Sequence, residues 1–206
     1  MEKSSLHIFP TMDNGLVAVM PIGGLDELEC NAAEAELKSV EHIHSASRRA
    51  ERLAWRALLR ELEPAAQVEY LPSGKPEIKN SKYQHLSVSH CRDFVAVALS
   101  SKPCGVDIVR CDRNFERVKS RYMTAEEQSL SADKHWAAVV WCAKEAMYKM
   151  AGREGVDFKR DMQIISVEPS VGFVRGRWHL VAHLFSERVE LQGIPIDDDH
   201  ILVFTL

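Results

Sequence analysis

A single carboxylate stands inside the apolar, β-branched run Gly105-Val106-Asp107-Ile108-Val109. A charge buried in a strand is costly unless something pairs with it. The fold must therefore bring partners to Asp107. Further on, Trp136, Val140, Ala143, Met147 and Met150 recur at helical spacing and predict a core-facing stripe. Ser131 is the expected N-cap of that helix and Gly152 its expected stop. Trp141, Glu145 and Lys149 follow at i, i+4 and i+8 and share a neighbouring face. A strand carboxylate facing a helix carboxylate can hold a hard cation such as Mg²⁺, which takes oxygen ligands and keeps waters and substrate phosphates. Lys149 is then placed to meet a phosphate. The plainer reading makes Glu145 and Lys149 a surface ion pair, worth about 0.3–0.5 kcal/mol, and Asp107 the cap of a neighbouring loop.

The chain has 206 residues, enough for one large domain or two small ones sharing a core. Its net charge of −4 does not suggest a nucleic-acid partner. Its 5 cysteines are scattered without a CxxC pair, which argues against a disulfide framework and a zinc site and fits a reducing cytoplasm. The N-terminus lacks an apolar signal-like region and no long apolar run occurs, so neither secretion nor a membrane partner is expected.

Leu6–Phe9 and Gly15–Pro21 read as strands around an Asp13-Asn14-Gly15 turn. Asp26 can cap a helix running to about Ser39. His42 and His44 read as surface. Ser47–Leu62 is predicted helical, ended by Pro64, with Ala50, Leu53, Ala57 and Leu58 inward. Arg48, Arg49, Arg52 and Arg56 crowd its first half. Cations there oppose the helix dipole, so a bound anion would offset an unfavourable arrangement. Val68–Leu71, His85–Ser89 and Phe94–Leu99 read as strands, the last with Val95, Val97 and Leu99 on one face. Gly74 and Pro76 make a turn presenting Lys75. Lys102-Pro103 marks the expected boundary between a half at 1–103 and a half at 104–206. A helix is expected near Phe115–Ser120, and Glu126 and Glu127 read as first-turn acids of a helix capped by Thr124. Strands are expected at Gln163–Val167, Gly172–Val174, Arg177–Phe185, Arg188–Leu191 and Ile201–Thr205. His179 and His183 read as structural.

The pair GVDIV and WCAKEAMYK resembles the two signature motifs of the 4′-phosphopantetheinyl transferases, G-[IV]-D and W-x-x-K-E-[AS]-x-x-K. Ser73-Gly74-Lys75-Pro76 is similar to that family's G-K-P turn. Leu86-Ser87-Val88-Ser89-His90 is similar to its N-[IV]-S-H-S strand. Arg121 to Glu127 is similar to its R-F-F-x-x-x-E segment. The order and spacing match the longer, surfactin-synthetase type, over roughly Ser47 to Gly152. Val109 departs from that type, which usually carries a second acid there. The shorter type tolerates valine and holds Mg²⁺ with two carboxylates.

The resemblance implies an α+β fold of two similar halves related by a pseudo-two-fold axis, with the site in the cleft between them. It implies transfer of the 4′-phosphopantetheine arm of coenzyme A to a serine of an apo carrier protein, releasing adenosine 3′,5′-bisphosphate. Asp107 and Glu145 would hold Mg²⁺, and Lys149 would neutralise the leaving phosphate. Arg49, Lys75, Ser89 and His90 would bind the nucleotide end of coenzyme A. Glu127 would lie near the metal. Glu145, Glu127 or a metal-bound water would take the serine proton, and the sequence does not choose among them. With both halves on one chain, a monomer can complete its site. Two rival readings are a coenzyme-A-binding protein that no longer transfers and a non-enzymatic interaction domain.

Overall fold

The computed structural model describes residues 6–71, 74–169 and 178–206. Strands β1 (His7–Pro10) and β2 (Leu16–Pro21) open the chain, joined by a 3-10 turn in which Asn14 takes a positive φ of 60°. Helices α1 (Leu25–Asn31), α2 (Glu34–Lys38) and α3 (Ala46–Leu62) follow. A small ladder of β3 (Gln67–Tyr70) and β4 (Pro76–Lys79) leads into β5 (His85–His90) and β6 (Phe94–Ser100). The second part contains β7 (Val106–Arg110), α4 (Phe115–Val118), α5 (Ala125–Ser129) and α6 (Trp136–Ala151). It closes with β8 (Met162–Pro169), β9 (Trp178–Leu184), β10 (Glu187–Pro195) and β11 (His200–Thr205). The architecture is α+β. One antiparallel sheet has the order β1-β2-β6-β5, and the other β7-β11-β10-β9-β8.

Side-chain alternation sorts these elements into four layers. Ala18, Leu86, Val95, Val97 and Leu99 turn to Ala54, Leu58 and Leu59 of α3. Val17, Val19, Phe94, Ala96 and Ala98 turn the other way, onto Val106, Ile108, Leu202 and Phe204 of the second sheet. The opposite face of that sheet packs under α6, through Val109, Leu180, Leu191 and Val203 against Val140, Ala143 and Met147. The order is helix, sheet, sheet, helix. This explains why β6 is buried along its whole length, where the sequence pattern predicts one buried face. A strand covered on both sides has no solvent face to mark with polar residues.

Three sequence expectations are corrected. The helix expected from Asp26 to Ser39 is two helices, with Ala32 and Ala33 extended between them. Arg60 of α3 binds the carbonyl of Asn31 on one side of the break and the Glu36 carboxylate on the other, while Glu36 also accepts from Ala33 N–H at 2.8 Å. Tertiary partners thus hold open a break that helix propensity would have closed. Helix α6 starts at Trp136, not after Ser131. The Ser131 hydroxyl instead accepts from Asp133 N–H in a preceding turn. Within α3, Ala57 is only partly buried, and Ala54, Trp55 and Leu59 join the core. The strand expected at Gly172–Val174 lies outside the described residues.

Helix α6 crosses β7 very closely. A Cβ on Gly105 would lie 1.8 Å from the Ala146 carbonyl oxygen. Glycine is therefore required for contact here, not for backbone freedom. Ala143 and Ala146, both 0% exposed, keep the helix side of that crossing equally thin. At the far end, Gly152 takes a left-handed φ of 62° and terminates the helix. We expect Gly105→Ala to cost about 3 kcal/mol or more, since overpacking against backbone cannot be relieved by a rotamer change. Chemical denaturation measures it.

Candidate functional site

The site is built where α6, β7 and β5 meet. On β7, Val106 and Ile108 face the first sheet, so Asp107 points to the α6 side and is 7% exposed. Its Oδ1 accepts from the Ser89 hydroxyl at 2.6 Å and from the Lys149 ammonium at 2.8 Å. Lys149 Nζ also donates to the Val106 carbonyl at 2.9 Å. Lys149 therefore turns to the strand, and the expected i, i+4 ion pair with Glu145 is not what holds it. Serines on β5 also complete the free edge of β7. Ser87 Oγ accepts from Val106 N–H at 3.1 Å, and Ser89 Oγ from Ile108 N–H at 3.2 Å. Two hydroxyls thus replace a neighbouring strand and join the two sheets at the site.

Glu145 is half-buried on the same helix face as Lys149 and Trp141. Burial pushes its carboxyl up, the Asp107 charge pushes it further, and Lys149 only partly offsets this.

Lys75 approaches from the first half. Its ammonium lies 3.4 Å from the Lys149 carbonyl, at the C-terminal turn of α6, and a Cβ on Gly152 would lie 2.6 Å from it. A cation suits a helix C-terminus. A cleft of about 450 Å³ runs past Lys75, Val88, Tyr148, Lys149 and Arg153. It shares Gly74, Pro76 and Val88 with a cleft of about 810 Å³ lined by His44, Arg48, Arg52, Tyr70 and His90. The exposed His90 ring faces Glu51 at 3.4 Å.

Lys75 and Lys149 therefore line one cleft, Asp107 and Ser89 are hydrogen-bonded behind Lys149, Glu145 stands on the same helix face, and His90 lines the adjoining cleft. Two expected site residues are placed elsewhere. Arg49 pairs with Glu29 and donates to the Val40 carbonyl at 3.3 Å, tying α1 to α3. Its neighbours Arg48 and Arg52 line the cleft instead, with Arg52 held by the Tyr70 hydroxyl at 2.7 Å. Their i, i+4 spacing was the available signal. Glu127 is 1% exposed and makes the reciprocal cap with Thr124. Its oxygens accept from Thr124 N–H, Ile164 N–H and Lys144, all at 2.8 Å. That capacity is spent within the protein, away from Asp107. Lys144, given no role by sequence reasoning, is 0% exposed, and burial lowers its pKa despite Glu127. Ser89 is 4% exposed with its hydroxyl on Asp107, one step behind the cleft surface. Val109 is 4% exposed in the core under α6, so its side chain belongs to packing. Among the described residues no group of three or more His, Cys, Asp or Glu is arranged to hold a metal, and no helix is long and apolar enough to cross a membrane.

Two outcomes follow from these environments. Lys144→Met would strand a buried Glu127 carboxylate and should cost about 3–5 kcal/mol in a denaturation measurement. For Glu145, a carboxyl raised in the fold favours the protonated form. Its ionisation therefore costs folded-state stability as pH rises from the ordinary glutamate range through the raised value. Glu145→Gln should raise Tm at neutral pH in chelator, and the gain should vanish as pH falls into the ordinary glutamate range. A Tm difference independent of pH would contradict this.

Comparison with known proteins agrees with the geometry. The profile of the 4′-phosphopantetheinyl transferase superfamily matches residues 103–204. That match carries the likeness through β8–β11, beyond the last motif at Gly152. A 4′-phosphopantetheinyl transferase of Bacillus subtilis is 29% identical over 86 residues, covering 39% of this chain and 38% of the relative. The alignment thus spans less than two-fifths of that relative's length. With GVD at β7 packed directly against WxxKE on α6, the chain belongs to the 4′-phosphopantetheinyl transferase superfamily.

Proposed function

We propose that this protein transfers the 4′-phosphopantetheine arm of coenzyme A to a serine hydroxyl of an apo carrier protein, with Mg²⁺, as an enzyme of the longer, surfactin-synthetase type. The observation that carries this reading is the Asp107–Lys149 pair, with Glu145 on the same helix face, beside a cleft that Lys149 lines and that adjoins one lined by Arg48, Arg52 and His90. The donor set suits Mg²⁺. It consists of oxygen ligands only, and the mutual repulsion of the buried Asp107 and half-buried Glu145 carboxylates is relieved by a divalent cation. Both donors to Asp107 go to Oδ1, which leaves Oδ2 as the oxygen for an ion. When bound, the ion supplies charge neutralisation at the pyrophosphate.

The chain's own residues divide the remaining work. Lys149 sits within reach of the acids and would shift its ammonium toward the phosphate that leaves. Lys75 and His90, with Arg48 and Arg52, would bind the phosphates and nucleotide of coenzyme A along the cleft. Ser89 acts behind them, orienting Asp107 through its hydroxyl. Glu127 takes no part in proton transfer on this reading, since its oxygens are occupied in the interior. Catalysis of phosphoryl transfer rests mostly on positioning and charge neutralisation, and this arrangement offers both.

The test incubates the protein with coenzyme A, Mg²⁺ and an apo carrier protein and weighs the carrier. A mass gain of one phosphopantetheine is expected, and no gain across a panel of apo acyl and peptidyl carriers would overturn the proposal. Asp107→Asn and Glu145→Gln should each lower the rate roughly a hundredfold or more, since a metal ligand supports several kcal/mol of charge stabilisation. Lys75→Ala and His90→Ala should instead raise KM for coenzyme A and spare kcat.

A further inference from the structure

Lys144 is the most deeply buried charge among the described residues, and the transfer chemistry above makes no use of it. Its ammonium has three donors. They meet the Tyr122 carbonyl at 2.7 Å, the Phe158 carbonyl at 2.7 Å and the Glu127 carboxylate at 2.8 Å. Glu127 in turn holds Ile164 N–H at the start of β8 and Thr124 N–H at the head of α5. The Trp136 indole donates to the Glu127 carbonyl at 2.7 Å, and the Tyr122 hydroxyl to the Ala137 carbonyl at 2.9 Å. Three separate chain segments are thus tied to one side of α6.

We infer that Lys144 and Glu127 are a positioning pair that sets the roll of α6 about its axis and thereby the approach of Glu145 to Asp107. The inference rests on the transfer reading only for what Glu145 then does. Lys144 precedes Glu145 directly, so the two side chains leave the helix about 100° apart. Anchoring one in the interior aims the other at the cleft. The side of α6 facing β7 packs through the small residues Cys142, Ala143 and Ala146, and its charged tie to the strand, Lys149 to Asp107, is partly solvated and sits in the last turn. The buried directional restraint comes from the opposite side, where charge-assisted hydrogen bonds have fixed geometry. A buried lysine and glutamate are not needed for stability alone, since well-packed neutral groups often serve as well. Their value here is angular.

The test uses Lys144→Met/Glu127→Gln, which removes both charges and keeps a neutral acceptor, together with Glu127→Gln alone. The first readout is the Mg²⁺ concentration giving half of the ion-induced rise in Tm. In the folded double variant it should increase about tenfold, as loss of an outer support typically does. The second is the transfer assay, in which kcat should fall by a similar factor at unchanged KM for coenzyme A. Wild-type values of both in the folded double variant would overturn the inference and leave the pair a stability element. If the double variant does not fold, Glu127→Gln decides. Loss of kcat with an unmoved Mg²⁺ midpoint would make Glu127 a proton acceptor and overturn the inference, whereas a moved midpoint supports it. A wild type that gains Tm with Mg²⁺ but modifies no carrier would sink the transfer reading, and the midpoints of the variants would still decide the pair. A wild type whose Tm does not respond to Mg²⁺ would overturn the inference along with the metal site.

Discussion

Asp107 is a carboxylate in the middle of a hydrophobic strand, and the fold is arranged around its need for partners. One partner, Ser89, comes from the first half of the chain, and the other, Lys149, comes from the last turn of α6. Both reach the same oxygen. The strand must lie against α6 for Lys149 to arrive, and the thin crossing at Gly105 and Ala146 permits it. It must also lie beside β5, whose serines take up the free N–H groups of β7. One ionised group thus brings three elements from distant parts of the chain to one point.

The two lysines of the helix motif illustrate how burial separates structure from chemistry. Lys144 and Lys149 lie on one helix, yet their side chains leave it about 140° apart. Lys144 enters the interior, where desolvation lowers its pKa and every donor is matched by an oxygen. Lys149 stays partly open to the cleft while its partner Asp107 is buried. A saturated buried network rigidifies. A partly solvated ion pair can exchange partners. The same residue type therefore does opposite work at two positions of one motif.

The seam between the two sheets and their helices organises charge along the cleft. The bases along it come largely from α3, the turn before β4, the end of β5 and the end of α6, and Asp107 lies behind Lys149. A ligand bearing several phosphates, as the proposed function requires, is complementary to bases set along such a seam. The aromatic group of Phe115, Tyr122, Trp141 and Phe158 packs behind the acids, with the Tyr122 and Trp141 rings edge to face at 5.1 Å. It removes water from the side of α6 that bears Lys144.

Local pattern alone identified the apolar strand around Asp107, the helix ending at Gly152, most strands, and the shared face of Trp141, Glu145 and Lys149. These are properties of period and punctuation, and they are carried by neighbours in sequence. Position Gly105 also stood in the motif, but only the 1.8 Å approach to Ala146 explains it. Tertiary structure decided the rest. Arg49 was drawn away to Glu29, and Arg48 and Arg52 took the cleft, because the packing of α1 selects one side of α3. Glu127 was drawn inward to Lys144 and Ile164, which no spacing along the chain encodes. The break at Ala32–Ala33 is held by Arg60, from a helix two elements later. Sequence determines which residues can carry charge and on which face of their own element they stand. Which partner each charge meets depends on contacts between elements far apart in the chain, and those exist only once the four layers have packed.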